Sequence, residues 1–210
     1  MKLKRYSLAE QAYQEMLKQI ISGKWQAGDK ITEESLCGRF KISRTPAREA
    51  LMSLTRDGLV ERQPRYGWRI CSPSIQQVSE LFECRRQIEC LALKTSIDKI
   101  PLEKLERLKD ALLSDAEDPK RVSMQVDEDI HQMIGDFCGN SYLSRILERL
   151  RKQSLPYRFF RTDKNILDKI QQERLALLQA LLNRDLDKAL SLLSEHIAQG
   201  CRILENRETL

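Results

Sequence analysis

At 210 residues, 41% hydrophobic and 32% charged, the chain is long enough for two ordinary domains with cores of their own and too apolar for a disordered or fibrous protein. No run of eighteen apolar residues occurs, and the start from Met1 to Glu10 lacks the apolar block of a secretion signal, so neither a membrane span nor export is expected and the chain reads as cytoplasmic. The net charge of +5 is unevenly spread: residues 1–72 hold 14 Lys and Arg against 8 Asp and Glu, the remainder 22 against 23. The positive excess therefore sits in one N-terminal segment, as expected where a polyanion is met.

From Leu8 to Ser22, apolar residues recur at helical spacing (Ala9, Ala12, Tyr13, Met16, Leu17, Ile20, Ile21), and Gly23 follows as a C-terminal glycine. Residues 24–30 read as a turn-rich connection, after which Thr32 is placed to cap a short helix ending near Phe40. Ser43 is an expected N-cap for the next helix, with Pro46 in the first turn, where proline is tolerated. Two helices this close make a helix-turn-helix. Ala47, Ala50, Leu51 and Leu54 share its inward face, which turns Arg44, Thr45 and Arg48 outward. Leu59–Arg62 and Trp68–Cys71 flank the turn-forming Gln63–Gly67, predicting a two-stranded wing with Arg65 at its tip and Gly67 where an unusual turn is needed.

The expected fold is mainly α: a winged helix-turn-helix over residues 1–72, a linker over 73–76, and an all-helical antiparallel bundle over 77–210. Helices are predicted at 74–97, 102–114, 120–138, 141–154, 164–183 and 186–206, with breaks at Pro101, Pro119, Gly139-Asn140, Pro156 and Asn183-Arg184-Asp185. The six cysteines, Cys37, Cys71, Cys84, Cys90, Cys138 and Cys201, include no C-x-x-C pair and are expected as buried small hydrophobes.

Arginines at the start of an outward helix face suit the major groove, where Arg44 or Arg48 can bind guanine O6 and N7 bidentately and Thr45 can meet a phosphate or a thymine methyl. Arg65 on the wing can reach the minor groove or the backbone. The string Gly23-Lys24-Trp25-Gln26-Ala27-Gly28-Asp29-Lys30-Ile31, then Ser43-Arg44-Thr45-Pro46-Ala47-Arg48-Glu49-Ala50-Leu51 and Asp57-Gly58-Leu59-Val60, resembles the head of the GntR-type regulators over roughly residues 7–72. That resemblance implies a bacterial DNA-binding regulator in which Arg44, Thr45, Arg48, Arg65 and Gly67 contact an inverted-repeat operator in double-stranded DNA.

Past the linker, polar residues interrupt apolar stripes. Arg85 lies in line with Val78, Leu81, Ile88 and Ala92; Asp127 and His131 share a face with Met124, Ile134 and Cys138; Arg174 follows Ile170, Leu177 and Leu181; His196 follows Ala189, Leu192, Leu193 and Ile203. Buried charges on four helices make sense together when they meet each other or a ligand. Arg85-Arg86-Gln87-Ile88-Glu89, Asp127-Glu128-Asp129-Ile130-His131 with Gly139-Asn140, and Gln179-Ala180-Leu181-Leu182-Asn183-Arg184-Asp185 leading to Glu195-His196 resemble the FCD effector domain of the FadR subgroup over about residues 75–206. Many such domains hold a divalent metal through one aspartate and three histidines; Asp127, His131 and His196 match three of those positions, and Arg174 stands at the fourth. Two arrangements stay open. Three ligands hold Zn or Ni, with waters or a substrate carboxylate, if Arg174 points away; without metal, Arg174 pairs a carboxylate or phosphate directly, with Arg85 as a second clamp and Asp127 orienting His131 or Arg174.

The reading is a homodimeric, non-enzymatic transcriptional regulator whose operator affinity responds to a small anionic, carboxylate-type metabolite bound by Arg85, Asp127, His131, Arg174 and His196. The alternatives are an effector-independent DNA-binding protein and a small metallohydrolase, which lacks an evident general base or nucleophile.

Overall fold

The computed structural model describes residues 7–114, 117–158 and 164–205. In chain order these form α1 (Leu8–Ile21), β1 (Lys30–Ile31), α2 (Glu33–Phe40), α3 (Arg44–Arg56), β2 (Val60–Gln63), β3 (Gly67–Ile70), α4 (Ile75–Ser96), α5 (Leu102–Leu113), α6 (Pro119–Phe137), α7 (Ser141–Arg158), α8 (Lys164–Leu182) and α9 (Leu186–Glu205). The chain divides into two compact units, Met1–Ser74 with Lys152–Phe159, and Ile75–Arg151 with Phe160–Leu210.

In the first unit the expected stripe of α3 is buried: Ala47, Ala50, Leu51 and Leu54 are at most 1% exposed and pack in one core with Met16, Ile20 and Leu36. Small residues at positions 47 and 50 let α1 lie close against α3, and truncating Leu51 to Ala would cost about 2–5 kcal/mol through the cavity left behind. α1 starts where the Ser7 hydroxyl accepts the Glu10 N–H at 3.1 Å. α2 begins in a reciprocal cap: the Ser35 N–H donates to Thr32 Oγ1 (3.1 Å) and the Thr32 N–H donates to Ser35 Oγ (3.2 Å). Ser43 sits at the N-cap of α3 in extended backbone, but its side chain makes no cap hydrogen bond, contrary to the sequence expectation.

The sheet is antiparallel in the order β1-β3-β2, with Val60 opposite Ile70 and Gln63 opposite Gly67. β1 was expected as part of a turn. Two residues carry no alternation to read, and Lys30 and Ile31 become a strand only by pairing with Arg69 and Trp68 far along the chain. Lys152–Phe159 groups with this unit rather than with the C-terminal domain, because Lys152 Nζ lies 3.3 Å from Asp57 Oδ2 and 5.7 Å from the Tyr13 ring centroid, and the Tyr13 hydroxyl donates to the same carboxylate at 2.6 Å.

In the second unit α4 packs on α6 and α9, α8 on α9 and α5, and α5 on α6. Pro119 opens α6 at its first turn while Asp118 accepts the Arg121 N–H at 3.0 Å, and Asp185 caps α9 by accepting the Lys188 N–H at 3.1 Å. α4 begins at Ile75, one residue after the helix start expected at 74 and within the 73–76 assigned to the linker. Pro156 does not break α7: the helix continues through it to Arg158, and a proline this near the end removes one hydrogen bond from the last turn only. The expected helix end at residue 206 lies outside the described residues. Of the cysteines, Cys138 alone is buried, Cys84 is exposed and the others are half-buried, so the expectation of six buried thiols is corrected. Thiol spacing says nothing of which helix face meets solvent.

Candidate DNA interface and helical-domain site

Arg44, Thr45 and Arg48 leave the N-terminal half of α3 on its exposed face. The first-turn N–H groups of α3 donate no bond to the Ser43 hydroxyl, an arrangement suited to an approaching phosphate. Arg48 is 62% exposed along its side chain, yet it is not loose: Nε donates to Glu33 Oε1 at 2.7 Å and Nη2 to Oε2 at 3.2 Å. In the wing, Arg65 is exposed at φ 69°, and Gly67 at φ 91° lies so near β1 that a β-carbon would stand 2.9 Å from the Ile31 carbonyl oxygen. Gly67 is thus required by the β1–β3 contact whatever it does toward DNA.

In the second unit the expected residues fall into one buried cluster. Asp127 on α6 is its centre: Oδ1 accepts from Arg174 Nε on α8 at 3.0 Å, lies 2.9 Å from His196 Nε2 on α9, and faces His131 Nε2 one turn along α6 at 3.7 Å. The other side of the Arg174 guanidinium donates to the Ser123 hydroxyl at 2.5 Å. Arg85, Asp127, His131 and Arg174 are at most 8% exposed, and the two imidazole rings stack with centroids 5.3 Å apart.

Arg85 enters differently from the second clamp foreseen above. Its Nε donates at 3.1 Å to Glu89 Oε2, one turn along α4, and the other oxygen of Glu89 holds His131 Nδ1. Glu89, fully buried, was quoted in the resemblance but not among the expected site residues, although it lies four residues from Arg85 on the same helix face, a spacing that would have disclosed it. Burial opposes its ionisation, but the positive neighbours His131 and Arg85, with Arg151 beyond them, overcome this and bring the carboxyl down to about 2. Burial, acting against Glu89 and Asp127, takes His131 down to about 4. At neutral pH the pair is a carboxylate, matched in charge by Arg85, and a neutral imidazole that donates from Nδ1 and presents the Nε2 lone pair to Asp127.

Asp127, His131 and His196 offer three ligand atoms within 4.8 Å of one another, and the carboxylate behind His131 Nδ1 is the kind of partner that orients a metal-bound histidine. The fourth position does not fit. Arg174 points at the site, and its permanent charge lies on the Asp127 oxygen that all three groups share, where a divalent ion bound at about 2.0–2.2 Å would face a second cation. The residues present fit a buried carboxylate bonded by a guanidinium and an imidazole better than a four-ligand metal centre.

A basic winged helix-turn-helix followed by a helical unit with an inward polar cluster defines a type of DNA-binding protein. Residues 8–70 match the family model "Bacterial regulatory proteins, gntR family" and residues 80–199 match the FCD domain. The chain belongs to the GntR family of transcriptional regulators, in its FCD-containing, FadR-like subgroup. It is 31% identical over 147 residues to the uncharacterized HTH-type transcriptional regulator YdhC of Bacillus subtilis, a match covering 67% of this chain and 65% of that protein. It is 28% identical over 209 residues to the HTH-type transcriptional repressor GlaR of Escherichia coli, covering 92% of this chain and 94% of GlaR. The fold is similar to that of E. coli McbR/YncC, with a TM-score of 0.80 at 21% identity over 97% of this chain and all of that one. Among the described residues no helix is long and apolar enough to cross a membrane.

Proposed function

We propose that this DNA-binding transcriptional regulator changes its operator affinity when a small carboxylate-type anion enters the cluster around Asp127. The observation that supports this is the convergence of Arg174 and His196, from two further helices, on one buried carboxylate oxygen of α6. A carboxylate or phosphate group on a ligand competes with Asp127 for the Arg174 guanidinium and for His196, and its binding redistributes ion pairs that tie α6 to α8 and α9. Arg85 acts at one remove by holding Glu89 against His131. The Arg174 geometry favours the metal-free version of the site over the Zn or Ni version.

In this reading the protein is a homodimer whose two heads address an inverted repeat, Arg44 and Arg48 reading bases, Thr45 and Arg65 contacting backbone or groove, and Gly67 shaping the wing. A ligand that prefers one arrangement of the helical unit by about 1–3 kcal/mol changes operator occupancy usefully. The test is a thermal-shift screen of mono- and dicarboxylates and phosphates on the full chain, followed by operator titration with and without each hit. A hit should raise the melting temperature of the unmodified protein and alter its operator affinity, and Arg174→Ala should remove both responses while retaining operator binding without ligand. Ligand responses that persist in Arg174→Ala would sink the reading.

A further inference from the structure

Arg48 and Glu33 form the one bidentate ion pair on the exposed face of α3 among the described contacts. A guanidinium has five N–H donors in a fixed plane, and the Glu33 carboxylate takes two of them along one edge, Nε–H and one Nη2–H. The end of the fork remains, with Nη1–H and the second Nη2–H pointing the same way, and these are the two donors that match O6 and N7 of a guanine. The two partners differ in mobility. Glu33 is 16% exposed and rises from the first turn of α2, a helix whose start is fixed by the Thr32–Ser35 cap, whereas Arg48 is 62% exposed. The anchored carboxylate thus holds the free arginine. Glu33 is kept ionised by the Arg48 hydrogen bond first, then by the charges of Arg48, Arg44 and Arg62, so the grip persists at neutral pH.

We propose that Glu33 is a positioning residue for base recognition: it grips one edge of the Arg48 guanidinium and so aims the other at a single base pair of each operator half-site. This rests on the reading of Arg48 as a base-contacting residue. Without the grip, a long surface arginine samples many rotamers and meets any phosphate or base within reach; with it, the ordering is complete before DNA arrives. Placing a carboxylate beside the path of a phosphate backbone is otherwise unfavourable, and pairing with Arg48 is what offsets it.

The neighbouring Glu34 supplies a control, since it shares the first turn of α2 and its influence on the helix dipole but is exposed and makes no described contact with Arg48. Full-length protein would be used to select its preferred duplex from a random pool, and affinities then measured on that duplex and on all single-base variants of one half-site. Glu33→Ala and Glu33→Gln should lower discrimination at one position by about fivefold or more, the worth of a bidentate contact, with discrimination elsewhere and the salt dependence of binding unchanged. Glu34→Ala should leave every position as it is, and Glu33→Ala should add nothing at that position once Arg48→Ala is present. The proposal is overturned if Glu33→Ala behaves like Glu34→Ala, if it tightens binding to all duplexes alike as simple relief of phosphate repulsion, or if its base effect survives in the Arg48→Ala background. Loss of base preference in Arg48→Ala but not in either Glu33 variant defeats the grip alone; unchanged preference in Arg48→Ala defeats the reading of Arg48 itself.

Discussion

Replacing Asp127 by Asn keeps the volume of the side chain and removes the charge on which the cluster is built. Arg174 bonds Oδ1 at 3.0 Å, and the two side chains are 10% and 3% exposed, so the substitution leaves a guanidinium in the interior with the Ser123 hydroxyl and no counter-charge from α6. Breaking a buried pair from one side costs about 3–5 kcal/mol. In a protein of this size a loss of 1 kcal/mol lowers the melting temperature by about 2–4 °C, so the midpoint should fall by about 6–20 °C. Urea unfolding followed by circular dichroism measures the same loss as a lower midpoint at unchanged slope. Adding Arg174→Met, which removes the stranded cation and keeps an apolar chain of similar length, should recover more than half of it, because replacing both partners of a buried pair is close to neutral. A cost below about 1 kcal/mol for Asp127→Asn, or losses from the two changes that simply add, would refute the view that Asp127 neutralises Arg174.

Arg174→His should convert the cluster into a set of one carboxylate and three histidines, so that Zn or Ni raises its melting temperature while leaving that of the unmodified protein unmoved; one tightly held metal per chain before any substitution would contradict this. His131 has a folded pKa near 4 against 6.5 unfolded, so the unfolded state binds more protons between these values and stability should fall as pH drops through that window, with Glu89, at about 2 against 4.5, adding loss below pH 4.5. His131→Gln should flatten the upper part of the urea midpoint against pH and also shrink the loss below pH 4.5, because His131 leads the groups that hold the Glu89 carboxyl down; an unaltered slope between pH 6.5 and 5 would count against a neutral buried imidazole. Arg44→Ala should weaken specific operator binding by about 1–3 kcal/mol if it contacts a base, with no change in melting temperature, and equal affinity for wild-type and variant would remove Arg44 from recognition.

The parts of the fold legible in the sequence are those written in local periodicity. The stripe Ala47, Ala50, Leu51 and Leu54 gives both the recognition helix and its exposed face, and the i, i+4 spacing of Asp127 and His131 by itself places them on one side of α6. What was not legible depends on distant partners. β1 exists because β3 returns to pair with it, and Ser43 sits where a cap belongs but bonds nothing from its side chain. In the helical unit the inward polar residues could be picked out one by one, while the order in which they connect, Arg85 to Glu89 to His131 and Asp127 to Arg174 and His196, is a property of how four helices pack. Arg174 illustrates the division: sequence position identifies it as the departure from a metal-ligand set, and only the packing of α8 on α6 decides where its charge goes.

The backbone of Arg65 carries a further consequence. A residue with a β-carbon held at φ 69° costs about 1–2 kcal/mol that glycine avoids and asparagine tolerates more readily. Relaxing this turn would make the wing more stable while removing the outward cation that the proposed reading places against DNA. If Arg65 contacts the operator as proposed, the two selective pressures on this position point in opposite directions: a search for heat-resistant variants will tend to discard the arginine, and a search for operator occupancy will tend to keep it. Any hardened version of this regulator used as a sensor is better chosen by what it represses or activates than by how hot it can be made before it melts.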